Sequence, residues 1–482
     1  MLISPQSTIE EGILAKKISN TLKSPHIDHR IRQSDFSLEH EASPWLGSHI
    51  DTVGQFDQYL LIGSNLRNEQ PLLASRIRKS VNHGANLFVI NSIDADPLMA
   101  VSEKMIQASH KLPHALAKVL KSMTELKGVL KKDIKFIKAD IEKIKTDKVS
   151  DAIAKHLMKN VFAAKKNNTS ILLGQIAQEH PDYSTIYKLA YEISKLSQAN
   201  FGVMPTYANS VGLHAINVLP EKGGLHAYAM LEKKLKAYVL LNIEPQLDGS
   251  NAQLMQDAIL SSDFTVALSA YNSKYLKNVD VILPVSPFTE SSGTMINMEG
   301  RVQSYTAVTQ SLGQSRPAWK VLRVLANHLN LKGFDYESSL DVKEAHIKSK
   351  NQFLTKELSN SIEIKSDYQI RITKPKQFSR IGELHQYCVD SVVRRAPSLQ
   401  IAIQKSKAFA KLNPLEMKSL KLKTNDKIKV TQGKQSTNLI VIEDVSIPEG
   451  SIYIPSGIDE TAHLSDIYGD CTVKKITSRS AS

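Results

Sequence analysis

The sequence predicts an α/β fold of parallel, doubly wound sheets, followed by a smaller β-rich domain. Three observations predict it. In the front half, apolar runs of four or five residues alternate with amphipathic helical patterns, the signature of strands buried on both faces. Most of those runs stop at Gly, Asn or Pro, as strand-end turns do. From about Tyr368 the texture changes to short strands separated by Gly433, Pro448-Glu449-Gly450 and Pro455-Ser456-Gly457, which suits a barrel or sandwich. With 482 residues the chain has room for about three domain equivalents. Its 41% hydrophobic and 23% charged residues exclude wholesale disorder.

Met1-Leu2-Ile3 looks like the end of a strand. Ser7-x-x-Glu10 and Thr8-x-x-Glu11 resemble a capping box that starts a helix at once. So short a βα start is either a frayed edge strand or the middle of a longer protein's sheet domain. Tyr59-Leu60-Leu61-Ile62 is the next strand and stops at Gly63-Ser64-Asn65. Pro71 opens a helix through Leu72, Leu73, Ile77 and Val81. Leu87-Phe88-Val89-Ile90 completes a βαβ unit. Ser170-Ile171-Leu172-Leu173 runs into Gly174, with a helix around 187–196. Ala237 to Leu241 leads through Asn242 and Pro245 to a helix at 253–260. Thr265-Val266-Ala267-Leu268 and Val281-Ile282-Leu283 are further buried strands, and 319–331 is a helix. In the β-rich part, Ile428-Lys429-Val430, Leu439 to Ile442 and Ser451 to Ile454 are strands. The expected division is 1–335 for the α/β region, with a Lys-rich helical insertion at about 105–166. A polar connector follows at 336–367, then the β-rich domain at 368–482. Loops at the carboxyl ends of parallel strands form the crevice of such folds, here Gly63 to Glu69, the turn at Gly174 and the long loop from Pro284 to Gln303.

The formal charge of +13 comes from two segments. Residues 111–166 hold 15 Lys against 6 acids, and 343–434 hold 20 Lys and Arg against 8 acids; the remainder is mildly acidic. In the first segment Leu112, Leu116, Val119, Met123, Leu126, Leu130, Ile134, Ile137, Ile141 and Ile144 recur at helical spacing. Lys118, Lys121, Lys127, Lys131, Lys135, Lys138, Lys143 and Lys145 mostly fall between them. The segment has no Arg and only Phe136 and Phe162 as aromatics, which argues against base stacking and base readout. A solvated lysine face is the favoured reading. A docking surface for an acidic partner or anionic lipid is the sharper one. No apolar run approaches the ~18 residues of a membrane span. Two cysteines, Cys388 and Cys471, cannot supply a four-cysteine iron–sulfur or zinc site. No P-loop, Gly-x-Ser-x-Gly or Gly-x-Gly-x-x-Gly motif appears, so NADH binding in a Rossmann mode is not expected. His26, Asp28 and His29 tempt a metal reading but lack a third ligand; a hydrogen-bonded loop is favoured. His214 and His226 have no ligand spacing and are read as structural.

Four stretches carry a resemblance: 4–37, 63–80, 282–304 with 315–329, and 387–400 with 412–433. Together they resemble the molybdopterin-oxidoreductase-like subunit of bacterial proton-pumping NADH-quinone oxidoreductase, respiratory complex I, within the molybdopterin oxidoreductase superfamily. The pattern Glu290-x-x-Gly293-Thr294…Asn297-x-Glu299-Gly300-Arg301-x-Gln303 carries the superfamily, and the run from Val392 to Gln400 carries the complex I branch. The resemblance implies formate dehydrogenase-like α/β domains and a double-psi-like C-terminal barrel. It implies a peripheral-arm subunit on the cytoplasmic side of the bacterial inner membrane. There it would scaffold electron transfer from NADH to quinone beside the NADH-binding flavoprotein and the iron–sulfur subunits. No nucleic acid is expected, and membrane association comes only through the complex.

The family's [2Fe–2S] and [4Fe–4S] motifs precede the matching region and are absent here, so an N-terminally truncated or split product is the simplest expectation. By the resemblance, Gly63, Asn65, Arg67, Glu69, Glu290, Gly293, Thr294, Asn297, Glu299, Arg301 and Gln303 are vestigial pterin-cleft loops. Glu–Arg pairs that brace those loops are the plainer reading, and the fragment alone is not expected to be catalytic. Neither cysteine lies in the early loop where a molybdenum ligand would sit, so no cofactor, and no molybdenum, is expected on this chain. The alternative is a molybdopterin-dependent oxidoreductase of formate dehydrogenase or nitrate reductase type.

Overall fold

A computed structural model describes residues 1–38, 44–126, 141–164, 168–347, 354, 358–363, 370, 375–403 and 409–476. The chain opens on β1 (Leu2–Ile3) and the helix Ile9–Thr21. That helix has a complete capping box: the Thr8 hydroxyl accepts from Glu11 N, and the Glu11 carboxyl accepts from Thr8 N. The box is Thr8/Glu11, and Glu10 points instead to Thr294 N, which it accepts at 2.8 Å.

The chain then leaves this lobe to build a second one from β2 (Gln58–Ile62), β3 (Asn86–Asn91), β4 (Glu103–Ile106), β5 (Thr169–Leu173) and β6 (Asn200–Val203). All are parallel, in the order β4-β3-β2-β5-β6. It returns as β7 (Ala237–Leu241), β8 (Phe264–Ser269) and β9 (Val281–Pro284), giving a second parallel sheet ordered β1-β7-β8-β9. Strands β2 and β5 are buried at every position, which is why Tyr59–Ile62 and Ile171–Leu173 read as apolar runs.

The lysine-rich segment is the crossover between β4 and β5. The described helices Leu112–Glu125 and Lys148–Phe162 put Leu116, Val119, Leu120, Met123, Ile153 and Leu157 into the core of the five-stranded lobe. Leu130, Ile134, Phe136 and Ile137, with Lys127, Lys131, Lys135 and Lys138, lie outside the described residues, as does most of 348–374.

The loop expected from Pro284 to Gln303 contains a hairpin, β10 (Gly293–Ile296) with β11 (Val302–Tyr305). Hairpin pairing satisfies backbone groups that a buried loop would leave bare. The C-terminal part closes into a six-stranded barrel of β12 (Phe378–Ile381), β13 (Phe409–Leu412), β14 (Lys427–Gln432), β15 (Gln435–Glu443), β16 (Ser451–Tyr453) and β17 (Tyr468–Lys475), ordered β12-β16-β13-β15-β14-β17. Mixed pairing, parallel for β12–β16 and β13–β15 and antiparallel elsewhere, closes it around Phe378, Leu412, Ile428, Val441 and Ile452. Among the described residues no helix is long and apolar enough to cross a membrane.

Candidate cofactor crevice

In the five-stranded lobe the chain leaves β2 toward β3 on one side and leaves its neighbour β5 toward β6 on the other. That switch point is where open parallel sheets place ligands. The two loops that flank it are Gly63 to Glu69 and Gly174 to Gln178. They pack directly on each other. Gly63 sits at φ +56°, and a Cβ there would lie 2.6 Å from Ala177 N. A Cβ on Gly174 would collide with Ser64 and come within 2.7 Å of Glu69 Oε2.

Glu69 fills the space between the loops. Its carboxyl accepts from Asn65 N (2.6 Å), Gln175 N (3.0 Å) and the Ser64 hydroxyl (3.1 Å). Burial pushes it up to about 7, against the pull of those hydrogen bonds. Asn65 Nδ2 donates across to Glu383 of the barrel at 2.7 Å. Burial raises the Glu383 carboxyl too.

Two ion-pair clusters tie the rest of the crevice shut. Arg32, on the loop after the first helix, forks onto Glu179 beyond β5 (2.6 and 3.1 Å) and donates to the Ser456 hydroxyl of the barrel (2.9 Å). Arg394 bonds Glu244 (3.0 Å) and Asp248 beyond β7. Arg395 adds a bond to Glu244 (2.6 Å) and lies 4.0 Å over the Tyr271 ring. Burial opposes the charge on Arg394, but the two carboxylates outweigh it and raise its pKa. Both lobes and the barrel therefore meet through the chain's own charges.

The loop from Pro284 to Gln303 does not join these two. Thr294 N donates to Glu10, and the Thr294 hydroxyl meets Ser304 at 2.9 Å. Gly293 packs against Thr8 where a Cβ has no room. Asn297 Oδ1 accepts from Glu299 N and Arg301 N, and Glu299 binds Arg301 Nε (2.8 Å) and Ile50 N (2.8 Å). Glu290 accepts from Leu312 N, and Gln303 is an exposed residue of β11. Arg67 is exposed and donates to Asp96 O.

The His26–His29 segment is a hydrogen-bonded loop. Asp28 holds Arg30 at 2.9 Å and accepts from Ala227 N. Burial works against its charge, yet Arg30 keeps its carboxyl below the usual value. His26 Nδ1 accepts from Leu225 N, and His226 caps a helix by accepting from Ala229 N.

These residues do not fit a pterin dinucleotide. The crevice retains cavities of about 130 Å³ beside His29 and about 110 Å³ beside Glu11. Even pockets for drug-sized ligands measure roughly 300–1,000 Å³. Among the described residues no three His, Cys, Asp or Glu are grouped to hold a metal. Cys388 and Cys471 are buried, and burial pushes the Cys471 thiol up to about 12, away from a ligating thiolate. Glu179, Glu244 and Asp248 escape a reading of the sequence alone. Their signal is position, a few residues beyond an apolar strand.

The molybdopterin oxidoreductase family description matches residues 1–328. The chain is 28% identical over 331 residues to the mitochondrial NADH-ubiquinone oxidoreductase 78 kDa subunit of Candida albicans, 67% of this chain and 38% of that one. It is 36% identical over 137 residues to the assimilatory nitrate reductase catalytic subunit of Bacillus subtilis, 27% of this chain and 19% of that one. The F420-dependent formate dehydrogenase 2 subunit alpha of Methanococcus maripaludis is 23% identical over 400 residues, 70% of this chain and 58% of that one. The chain thus spans less than two thirds of the length of each of these relatives. Acetylene hydratase from Pelobacter acetylenicus shares the fold with a TM-score of 0.64 at 13% identity, over 97% of this chain and 89% of that one.

Proposed function

The chain belongs to the molybdopterin oxidoreductase family, and on that premise we propose that it serves as a peripheral-arm subunit of an NADH:quinone oxidoreductase. In this reading the family's cofactor fold is kept as a scaffold. The observation that carries it is the closed crevice: Glu69 fills the switch point, and Arg32 and Arg394 lock the lobes to the barrel. The relative from Candida albicans, matched over 67% of this chain, favours the complex I branch. The electron path would run through iron–sulfur centres held by other polypeptide segments, since this chain has only two cysteines, both buried. Its partners would be the flavoprotein and iron–sulfur subunits, with the inner membrane reached only through them.

A second reading is a molybdoprotein of nitrate reductase or formate dehydrogenase type, favoured by the 36% identity to the Bacillus nitrate reductase over 137 residues. Affinity purification from solubilised membranes tests the first reading, with metal analysis of the same sample. Co-purification with NADH dehydrogenase activity and no stoichiometric molybdenum or tungsten is expected. One molybdenum or tungsten per chain refutes the scaffold and establishes the second reading.

A further inference from the structure

The cavity of about 130 Å³ between the two lobes is lined by three side chains with unspent hydrogen-bonding capacity. Among the described residues, His29 Nε2, both ring nitrogens of His214 and the Tyr207 hydroxyl are buried without a partner. His29 is 3% exposed, His214 7% and Tyr207 8%. The two imidazoles meet edge to face, with ring centroids 5.8 Å apart at 81°. Buried polar atoms are almost always paired, so four orphans around one cavity point to an occupant.

The chemistry of the walls limits what that occupant is. Phe36, Tyr183 and Tyr187 supply flat apolar faces. The charges at the rim are already spent, Arg30 on Asp28 and Arg32 on Glu179. Burial keeps both imidazoles neutral, so each ring has one donor and one acceptor. A charged guest would have no counter-charge. A guest with acceptors alone would leave a ring nitrogen bare. The size also decides, since an engineered cavity of about 150 Å³ accommodates benzene.

We propose that this cavity is a binding site for a compact, uncharged, single-ring molecule that both donates and accepts hydrogen bonds, of the phenol type. The site adjoins the switch-point loops through Gln178 and does not depend on the scaffold reading.

Three single-ring probes test it: phenol, benzene and benzoate, each titrated into the full chain carrying ¹⁵N-labelled histidine. Phenol is expected to shift the His29 and His214 ring resonances with a Kd of about 1 mM, typical of a ligand of seven heavy atoms. Benzene should bind at least about tenfold more weakly and benzoate not at all, because one lacks the hydrogen bonds and the other adds both bulk and an uncompensated charge. His214→Leu should weaken phenol about tenfold and leave benzene unchanged or tighter. Tyr207→Phe, which removes a single oxygen, repeats the comparison in case the leucine disturbs folding. Benzene binding as tightly as phenol, benzoate binding, or no shift with any probe would overturn the proposal; the last result means that water alone fills the cavity.

Discussion

Glu11 permits a test in which a single atom carries the effect. It closes the capping box of the first helix, and one oxygen, Oε2, accepts from both Thr8 N (3.0 Å) and Asn242 Nδ2 (3.2 Å). Burial, with Glu10 beside it, raises the carboxyl from 4.5 to about 7. Between those two values the native state holds a proton that the unfolded chain has lost. The stability due to neutral Glu11 is therefore fully present below pH 4.5 and is lost as pH rises through 7. At about 1.4 kcal/mol per pH unit, the loss is about 3 kcal/mol. Glu11→Gln keeps an acceptor oxygen at the Oε2 position and removes the titration. Urea denaturation of both proteins from pH 4.5 to 8 gives the difference in unfolding free energy. That difference should move by about 3 kcal/mol in favour of the variant, most of it between pH 5 and 7. Glu69 titrates over the same window, so the variant should retain a slope of its own. A difference that stays constant across the range refutes the claim that burial, and not the cap, sets the state of Glu11.

Other perturbations reach different parts of the structure. Arg394→Met should lower stability by about 3–5 kcal/mol, read as a fall in Tm, because Asp248 is left buried and unpaired. Gly174→Ala should cost about 1–3 kcal/mol by forcing Ser64 and Glu69 apart. Hydrogen exchange should then rise at Asn65 and Gln175, while Gly54→Ala, with its nearest neighbour at 3.6 Å, should leave exchange and Tm unchanged. Asp147→Ala removes the cap that accepts from Ser150 N and binds Lys118 at 2.8 Å, and should cost about 1 kcal/mol in urea denaturation.

What is legible in the sequence follows from where each residue gets its partners. Ala237–Leu241 is read to the residue, and Thr169–Leu173 to within one, because strands buried between helices need apolar side chains on both faces. Strand β4, with sequence Glu-Lys-Met-Ile, and β6, with Asn-Phe-Gly-Val, carry no such run and escape the reading. Both lie at the edges of their sheet, and their pairing neighbours, not their composition, make them strands. The first barrel strand escapes it for a related reason: Arg380 sits fully buried in it and donates to Gln432 and to Asp466 O, partners 52 and 86 residues away.

The strand-end rule locates the crevice loops at Gly63 and Gly174, but not what fills them. Glu69 meets a backbone amide 106 residues on, Arg32 meets Glu179 across 147 residues, and Arg394 meets Glu244 across 150. Each of these acids follows an apolar strand by a few residues, the position a ligand-binding residue would also occupy. A buried carboxylate there has two ways to be satisfied, by a ligand or by an arginine or amide of the same chain. Local sequence is the same in both cases. The difference lies in whether a distant donor reaches the loop, and in this fold Arg32, Arg394 and Gln175 N do.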